Sequence, residues 1–211
     1  MQMFFEAVKQ QALDRADGIV PDLDTYIEMR RETSGCKPVF DLIEYSLDLD
    51  LPDAVVEHPV IVALNNGAND LVTWSNVSAR LVAIADPDLL VADKERPQDL
   101  FSYNVEQSRG DTHNMICVFM MYDGLNLQQA VDRIGELCKQ TIDTFIENQA
   151  RVPSWGDDID KDVKLYVNGL QEWIVGSLHW SFMTTRYFGD DGGAVKATRI
   201  VELLSQEITK V

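Results

Sequence analysis

The chain has 211 residues, enough for one domain with a sizeable core, and its 45% of apolar residues are typical of a globular protein. Its net charge of −17 argues against nucleic-acid binding, because phosphate backbones require a basic surface. No apolar run approaches the ~20 residues of a membrane span, and the N-terminal residues lack a secretory signal pattern. Three widely spaced cysteines in apolar surroundings predict buried free thiols and a cytoplasmic location.

The spacing of apolar residues predicts helices along most of the chain, and we find no sustained β-strand alternation. In chain order the predicted helices cover residues 4–16, 23–33, 38–49, 58–76, 125–150, 158–188 and 194–208. The second is predicted to begin at Pro21 and Asp22 and to end near Gly35. The predicted fold class is therefore all-α.

Residues 77–98 are an exception, because they contain Pro87 and Pro97 and resemble neither a helix nor a turn. If they are removed, Asn76 joins Asp99 and the flanking helical segments become continuous. Asn76, Ser102 and Glu106 then occupy positions i, i+4 and i+8, which lie on one helical face. Their amide, hydroxyl and carboxylate oxygens are hard ligands of the kind that Mg²⁺ prefers.

The rejoined sequence NDLFSYNVE resembles the second metal-binding motif of class I terpene synthases. The segments SYNVEQSRGDTHNM, CKPVFDLIEY, NDLVTWSN, LPDAVVEHP and GSLHWSFMTTRYFG are similar to those of fungal, basidiomycete-type sesquiterpene synthases. The resemblance covers nearly the whole chain apart from residues 77–98. It implies the class I terpenoid synthase helical array. It also implies that Asn76, Ser102 and Glu106 hold one of the three Mg²⁺ ions of the complete family site.

The same resemblance implies residues that contact a diphosphate. The family's C-terminal Arg-Tyr pair matches Arg186 and Tyr187, and its diphosphate-sensing arginine matches the segment YIEMRRETSG. That segment leaves Arg30 or Arg31 as the sensor, and we favour Arg30. Thr33 and Ser34 then occupy the neighbouring linker and effector positions. Many family members carry lysine where this chain has Val105, and Arg109, one turn after Glu106, is a candidate to replace it.

The implied partner is a prenyl diphosphate, farnesyl diphosphate in the first place, whose hydrocarbon part needs an apolar pocket. Aromatic faces can stabilise a carbocation there, and the candidates are Trp74, Phe101, Trp173, Trp180 and Phe182. Phe182 is favoured because a continuous helix would place it on one stripe with His179 and Arg186. We predict packing roles for His179 and His113.

Two features depart from the family pattern. Its aspartate-rich motif, which holds two further Mg²⁺ ions, has no match here, and we expect the family's N-terminal helices that carry it to be absent. Asp157, Asp158, Asp160 and Asp162 are predicted to stabilise a helix start instead. Residues 77–98 are interpreted as a retained intron, since Val77-Ser78 can be encoded GTG-AGT and Gln98 CAG. The alternative is a loop insertion.

The sequence therefore predicts a Mg²⁺-dependent sesquiterpene cyclase, present here as the C-terminal portion of a terpene synthase and expected to be inactive or impaired. At most one Mg²⁺ would be held by this chain's motif. The alternative function is a non-catalytic helical protein that binds a diphosphate or a partner. The sequence does not specify the product or the oligomeric state.

Overall fold

The computed structural model describes residues 2–74, 100–198 and 200–204. Every regular element within these ranges is helical, which confirms the predicted fold class. The α-helices are α1 Gln2–Asp17, α2 Leu23–Thr33, α3 Cys36–Leu47, α4 Asp53–Val56, α5 Pro59–Trp74, α6 Leu100–Ser108, α7 Met115–Tyr122, α8 Leu127–Ala150, α9 Asp157–Met183, α10 Thr185–Phe188 and α11 Gly192–Thr198, and a 3₁₀ turn covers Gly189–Asp191. The segment 77–98 lies outside the described residues.

The centre of the core is α5, which packs against both α8 and α9. Its apolar residues Ile61, Leu64, Ala68 and Leu71 follow the helical period and are almost completely buried. A polar contact also joins these helices, because the Tyr166 hydroxyl of α9 donates a hydrogen bond to the side-chain oxygen of Asn65 at 2.9 Å. Burial raises the pKa of Tyr166 to about 12, so this hydroxyl stays protonated at neutral pH.

Helices α3 and α9 approach each other closely at Gly169. A Cβ atom at this position would lie 2.5 Å from Cγ2 of Ile43, so only glycine fits without displacing the buried isoleucine side chain. The contact brings the residues after Gly35 against the C-terminal half of α9. It thereby positions the end of the arginine-bearing helix α2 relative to the tryptophans of α9.

The predicted helix over residues 158–188 is wrong in one respect, because it divides at Thr184. Thr184 has an extended conformation with ψ 142°, and its hydroxyl accepts a hydrogen bond from the Arg186 backbone N–H. Threonine is a good N-cap residue, and here it starts the separate helix α10. The prediction that Arg186, Phe182 and His179 share one continuous helical stripe is therefore wrong, because Arg186 lies on a separate helix.

The predicted terminal helix over residues 194–208 is also wrong over residues 200–204. Residues 200–204 have no regular structure, whereas residues 199 and 205–211 lie outside the described part. The backbone N–H of Leu204 donates to the Asn104 side-chain oxygen at 2.7 Å, and the Gln107 side-chain amide donates to the Leu204 carbonyl at 2.7 Å. Two side chains of α6 thus take the place of intrahelical hydrogen bonds for this segment.

Several local predictions are confirmed. Asp22 caps α2 by accepting from the Thr25 backbone N–H. The acidic cluster begins α9, where Asp160 accepts from the Ser154 hydroxyl and the Trp155 backbone N–H, and Asp158 pairs with Lys161. The three cysteines are free thiols, of which Cys36 and Cys138 are buried and Cys117 is half-buried. None of the helices in the described ranges is both long and apolar enough to cross a membrane.

Candidate functional site

Ser102 and Glu106 lie one turn apart on α6, and their oxygens converge on one atom. The side-chain nitrogen Nδ2 of Asn114 lies 3.3 Å from Oγ of Ser102 and 2.9 Å from Oε2 of Glu106. Asn114 is the N-cap of α7, and its Oδ1 accepts from the Ile116 backbone N–H at 2.9 Å. Sequence reasoning missed Asn114, although its place just before the apolar run MICVFMMY is a recognisable N-cap signal.

Glu106 is half-buried, and burial raises the pKa of its carboxyl group. The hydrogen bond from Asn114 and the positive charges of Arg30 and Arg15 oppose this rise, whereas Asp111 adds to it. Within the described residues, Glu106 forms no ion pair with a lysine or an arginine, since Arg15 pairs instead with Asp111 at 3.0 Å. A carboxylate that is not paired with a lysine or arginine side chain is available to bind a metal ion.

The two arginines of α2 have different roles. Arg31 forms a bidentate ion pair with Asp70 of α5, with Nε–Oδ1 at 2.8 Å and Nη2–Oδ2 at 2.6 Å. The neighbouring Asn69 donates from its side chain to the Arg31 carbonyl at 2.9 Å. Burial raises the pKa of Asp70 even though Arg31 opposes the rise, and the hydrogen bonds to Asp70 raise the pKa of Arg31. Arg31 is thus committed to the contact between α2 and α5.

Arg30 has no side-chain hydrogen bond or ion pair among the described residues, and its charge acts on both Glu106 and Cys36. It is half-buried. These observations agree with the preference for Arg30 over Arg31 as a residue available to a ligand. The importance of Asn69 and Asp70 was missed, although two adjacent polar residues within an apolar helix are a signal of a buried partner.

The residues after the arginines form the end of α2. The Ser34 hydroxyl donates to the Arg31 carbonyl at 3.3 Å and accepts from the Cys36 backbone N–H at 3.1 Å. The Thr33 hydroxyl is buried and has no hydrogen-bond partner among the described residues. Burying an unpaired hydroxyl is unfavourable. Thr33 therefore supplies an unused polar atom three residues after Arg30 in the chain.

The short helix α10 carries Arg186 and Tyr187 and packs against the motif helix α6. The Arg186 side chain is exposed, and its Cζ atom lies 5.5 Å from the centre of the Tyr187 ring. Tyr187 in turn meets Trp180 edge-to-face, with ring centres 6.2 Å apart. The contact between α10 and α6 brings the predicted Arg-Tyr pair next to the helix that carries Ser102 and Glu106.

An apolar hollow of about 450 Å³ lies beside this pair, between α3, α5 and α9. Its wall includes Cys36, Phe40, Val72, Trp173 and Trp180. Trp173 and Trp180, two of the predicted aromatic candidates, are 39% and 51% exposed there. A second hollow of about 490 Å³ is lined by α5, α8 and α9, but Trp180 and its neighbour Tyr187 do not line it. The first hollow is therefore the better candidate for an apolar ligand.

Phe182 is buried and stacks on Phe188, with ring centres 6.5 Å apart, and it does not line this hollow. Lys196, which sequence reasoning missed, places its Nζ 5.9 Å from the centre of the Phe182 ring. The same Nζ lies 3.4 Å from Nδ1 of His179. Trp74 is buried, and its indole Nε1 has no hydrogen-bond partner among the described residues. These contacts place Phe182 and Trp74 within the helical packing.

His113 is enclosed, as its predicted packing role requires. Its side chain is inaccessible to solvent, its Nε2 lies 3.8 Å from Oδ2 of Asp14, and neither ring nitrogen has a hydrogen-bond partner among the described residues. Burial lowers the pKa of His113, so the ring is neutral at physiological pH. Arg109 follows α6, is exposed and lines a polar hollow together with Glu106 and Arg15.

The site as described holds two of the three predicted metal ligands, because Asn76 lies outside the described residues. The side chain of Phe101, one of the predicted aromatic candidates, also lies outside them. In the described ranges, no group of three or more histidine, cysteine or acidic side chains could hold a metal ion. Ser102 and Glu106 nevertheless present two hard oxygens from one side of α6, both within hydrogen-bond distance of Nδ2 of Asn114, and hard oxygens are the ligands that Mg²⁺ prefers. The residues present therefore fit one side of a Mg²⁺ site.

Comparisons with known proteins identify the family. The family described as terpene synthase family 2, C-terminal metal binding, matches residues 1–144. Sesquiterpene synthase Agr3 of Cyclocybe aegerita is 58% identical over 210 residues, which are 100% of this chain and 52% of that protein. Alpha-muurolene synthase of Coprinopsis cinerea is 57% identical over 202 residues, which are 96% of this chain and 42% of that protein. The chain thus spans about half the length of these relatives.

A solved structure shares the fold. The crystal structure of linalool/nerolidol synthase from Streptomyces clavuligerus, in complex with 2-fluorogeranyl diphosphate, superimposes with a TM-score of 0.68. The match covers 87% of this chain and 56% of that chain at 19% sequence identity. At this identity the likeness establishes the helical fold alone.

Proposed function

Because the chain belongs to terpene synthase family 2, whose C-terminal metal-binding region it matches, we propose that it forms one side of a Mg²⁺-dependent sesquiterpene cyclase site. The proposed substrate of the whole enzyme is farnesyl diphosphate. The observation that carries this proposal is that the oxygens of Ser102 and Glu106 both lie within hydrogen-bond distance of Nδ2 of Asn114, and that the charge of Arg30 also acts on Glu106. The sesquiterpene synthases among the relatives support the substrate class.

The diphosphate end of the substrate is proposed to lie between α2, α6 and α10. Arg30 contributes a charge that is not committed to another side chain of the described residues, and Thr33 contributes an unpaired hydroxyl. Arg186 would contribute from α10, a helix that packs against α6. Arginine suits this role because its planar group can donate two hydrogen bonds to phosphate oxygens at once.

The hydrocarbon end is proposed to enter the hollow lined by Trp173 and Trp180. Their indole faces can stabilise positive charge through the ring quadrupole, and the apolar wall keeps water away from a reactive carbocation. The edge-to-face contact of Trp180 with Tyr187 places the hollow directly beside the Arg186 helix. The hollow and the diphosphate-binding residues would therefore meet at the carbon–oxygen bond that breaks.

Bound Mg²⁺ would supply positive charge that stabilises the diphosphate leaving group. In this chain, Ser102 and Glu106 would hold and orient one of the three ions, with Asn76 as the third ligand. Arg30 and Arg186 would fix the diphosphate in the same orientation before and after ionisation, which is a preorganised electrostatic contribution. Trp173 and Trp180 would then shape the space in which the allylic cation folds.

The segment 77–98 is proposed to be of intronic origin and to impair the site, because it separates Asn76 from Ser102 by 26 positions. In the chain as it stands, Gln98 occupies the position four residues before Ser102. Its longer side chain meets the octahedral geometry of Mg²⁺ less well. We therefore expect weak Mg²⁺ binding and no product from the 211-residue chain. Transcript sequencing tests the origin, since mature mRNA that retains these codons in most copies would contradict it.

The binding function can be tested with a variant that lacks residues 77–98. Calorimetry with farnesyl thiodiphosphate, an analogue that ionises poorly, should give Mg²⁺-dependent binding that is stronger than in the 211-residue chain. Glu106→Gln and Arg186→Ala should each weaken it, whereas Asp158→Ala, at the exposed start of α9, should leave it unchanged. Binding that is independent of Mg²⁺ and of Glu106 would contradict the proposal. It would favour a non-catalytic diphosphate-binding protein.

A further inference from the structure

Asn114 connects the two described ligands of the proposed metal motif. Its Nδ2 donates to both the Ser102 hydroxyl oxygen and the Glu106 carboxylate, at 3.3 and 2.9 Å. The residue is 95% buried and comes from α7, not from the motif helix itself. One buried amide therefore determines where two oxygens of α6 point.

The direction of this amide is fixed by the helix that it caps. An asparagine side chain has an acceptor oxygen and a donor nitrogen on opposite sides, and Oδ1 of Asn114 is used by the Ile116 backbone N–H. The nitrogen must then point towards α6. The fold thus presents a donor, and not an acceptor, to Ser102 and Glu106.

We propose that Asn114 is a positioning residue for Mg²⁺, a proposal that rests on the metal-binding function proposed above for Ser102 and Glu106. Its amide holds the two oxygens together in the metal-free protein, so the ion meets ligands that are already oriented. A neutral donor suits this purpose, because a lysine or arginine would form an ion pair with Glu106 and compete with the metal. Residues that orient metal ligands in this way commonly change metal affinity 10–100-fold when they are replaced.

The chain contains a matched control for the capping role of Asn114. Asn126 caps α8 in the same way, by accepting from the Gln129 backbone N–H at 3.0 Å, but it is exposed. Serine is also a good N-cap residue, so Asn→Ser retains a cap at either position. Only Asn114→Ser removes a donor that reaches Ser102 and Glu106.

The experiment measures Mn²⁺ binding to the 211-residue chain, with the electron paramagnetic resonance signal of free Mn²⁺ as the readout. Asn114→Ser should raise the Kd for Mn²⁺ about tenfold, whereas Asn126→Ser should leave it unchanged. Glu106→Gln, which removes a proposed ligand, should raise the Kd at least as much. If Glu106→Gln weakens binding and Asn114→Ser does not, the role of Asn114 is overturned and the metal site stands. If Glu106→Gln has no effect, the proposed metal site fails, and this inference fails with it.

A second measurement uses the unsubstituted chain and so does not depend on the folding of a variant. In protein labelled with ¹⁵N-asparagine, the side-chain amide signals of Asn114 should shift as Mg²⁺ is added, because their acceptors become metal ligands. The signals of Asn126 should not shift. Asn114 signals that stay unchanged while Mg²⁺ perturbs the carboxyl ¹³C signal of Glu106 would overturn the proposed role.

Discussion

Arg31 and Asp70 form a bidentate ion pair that ties α2 to α5, with the Asp70 carboxylate only 5% exposed. Arg31 belongs to the arginine segment RRET, and Asp70 belongs to the helix that leads into the metal motif. Asn69 reinforces it by donating to the Arg31 carbonyl. The segment that carries the proposed diphosphate-binding Arg30 is therefore joined by one ion pair to the helix that leads into the metal motif.

Breaking this pair should destabilise the protein. Asp70→Asn leaves the Arg31 guanidinium without its carboxylate, and loss of one partner of a buried ion pair costs about 3 kcal/mol or more. Urea denaturation should show a corresponding decrease in the free energy of unfolding. Asp143→Asn, at an exposed position of α8, is the control and should change that free energy by less than about 0.5 kcal/mol. Equal stability of the two variants would show that the pair contributes nothing.

Substitutions of the two arginines of α2 should have different effects, one mainly on ligand binding and the other mainly on stability. Arg30→Met should leave the thermal midpoint nearly unchanged, because the Arg30 side chain forms no ion pair among the described residues. The same substitution should weaken Mg²⁺-dependent binding of inorganic pyrophosphate, because it removes a positive charge that is available to the ligand. Arg31→Met should lower the thermal midpoint through loss of the Asp70 pair. Thermal denaturation and calorimetry on both variants make the comparison. The opposite pattern, with Arg31 dominating affinity and Arg30 dominating stability, would assign the sensing role to Arg31.

His113 should make stability depend on pH. Burial is the main cause that lowers the pKa of its imidazole, and the positive charge of Arg15 lowers the pKa further. The charges of Asp111 and Asp14 oppose this shift. Above the unfolded-state pKa of about 6.5 both states are neutral, and His113 carries no penalty. As the pH falls below that value, the unfolded state gains a proton before the folded state does, so stability is lost. The loss continues until the pH reaches the lowered folded-state pKa.

The variant His113→Phe tests this dependence, because phenylalanine cannot titrate. Between about pH 7.5 and about pH 5.5, the thermal midpoint of the variant should fall less than that of the unsubstituted protein. The comparison uses the change with pH within each protein, so a difference in packing does not affect it. Identical changes in both proteins would show that His113 is not the titrating group.

The sequence predicted the long helices well because their apolar residues recur with one clear period. It placed α2, α5, α8 and the first part of α9 correctly, together with the Asp22 cap and the acidic start of α9. The division at Thr184 was not predicted, since the apolar pattern continues through it while a local hydroxyl-to-backbone bond begins a new helix. Likewise, residues 200–204 have helical periodicity, but Asn104 and Gln107 provide hydrogen bonds from a distant helix.

The site could be predicted only in its residue types. The motif spacing predicts Ser102 and Glu106 as metal ligands, and the arginine doublet leaves Arg30 and Arg31 as the candidates for the diphosphate-sensing residue. Which arginine is already paired depends on Asp70, a residue 39 positions away, and no local pattern reveals that contact. Asn114 was missed for the same reason, because its capping role is visible in the sequence but its second contact with α6 is not.

The most direct test of the central claim replaces the matching half of sesquiterpene synthase Agr3 with this chain, with and without residues 77–98. Farnesyl diphosphate and Mg²⁺ are supplied, and products are identified by gas chromatography and mass spectrometry. The chimera without residues 77–98 should release sesquiterpenes, and Glu106→Gln should reduce its turnover about a hundredfold or more. The chimera that retains the segment should release none above background. Equal turnover by both chimeras, or full turnover after Glu106→Gln, would contradict the account.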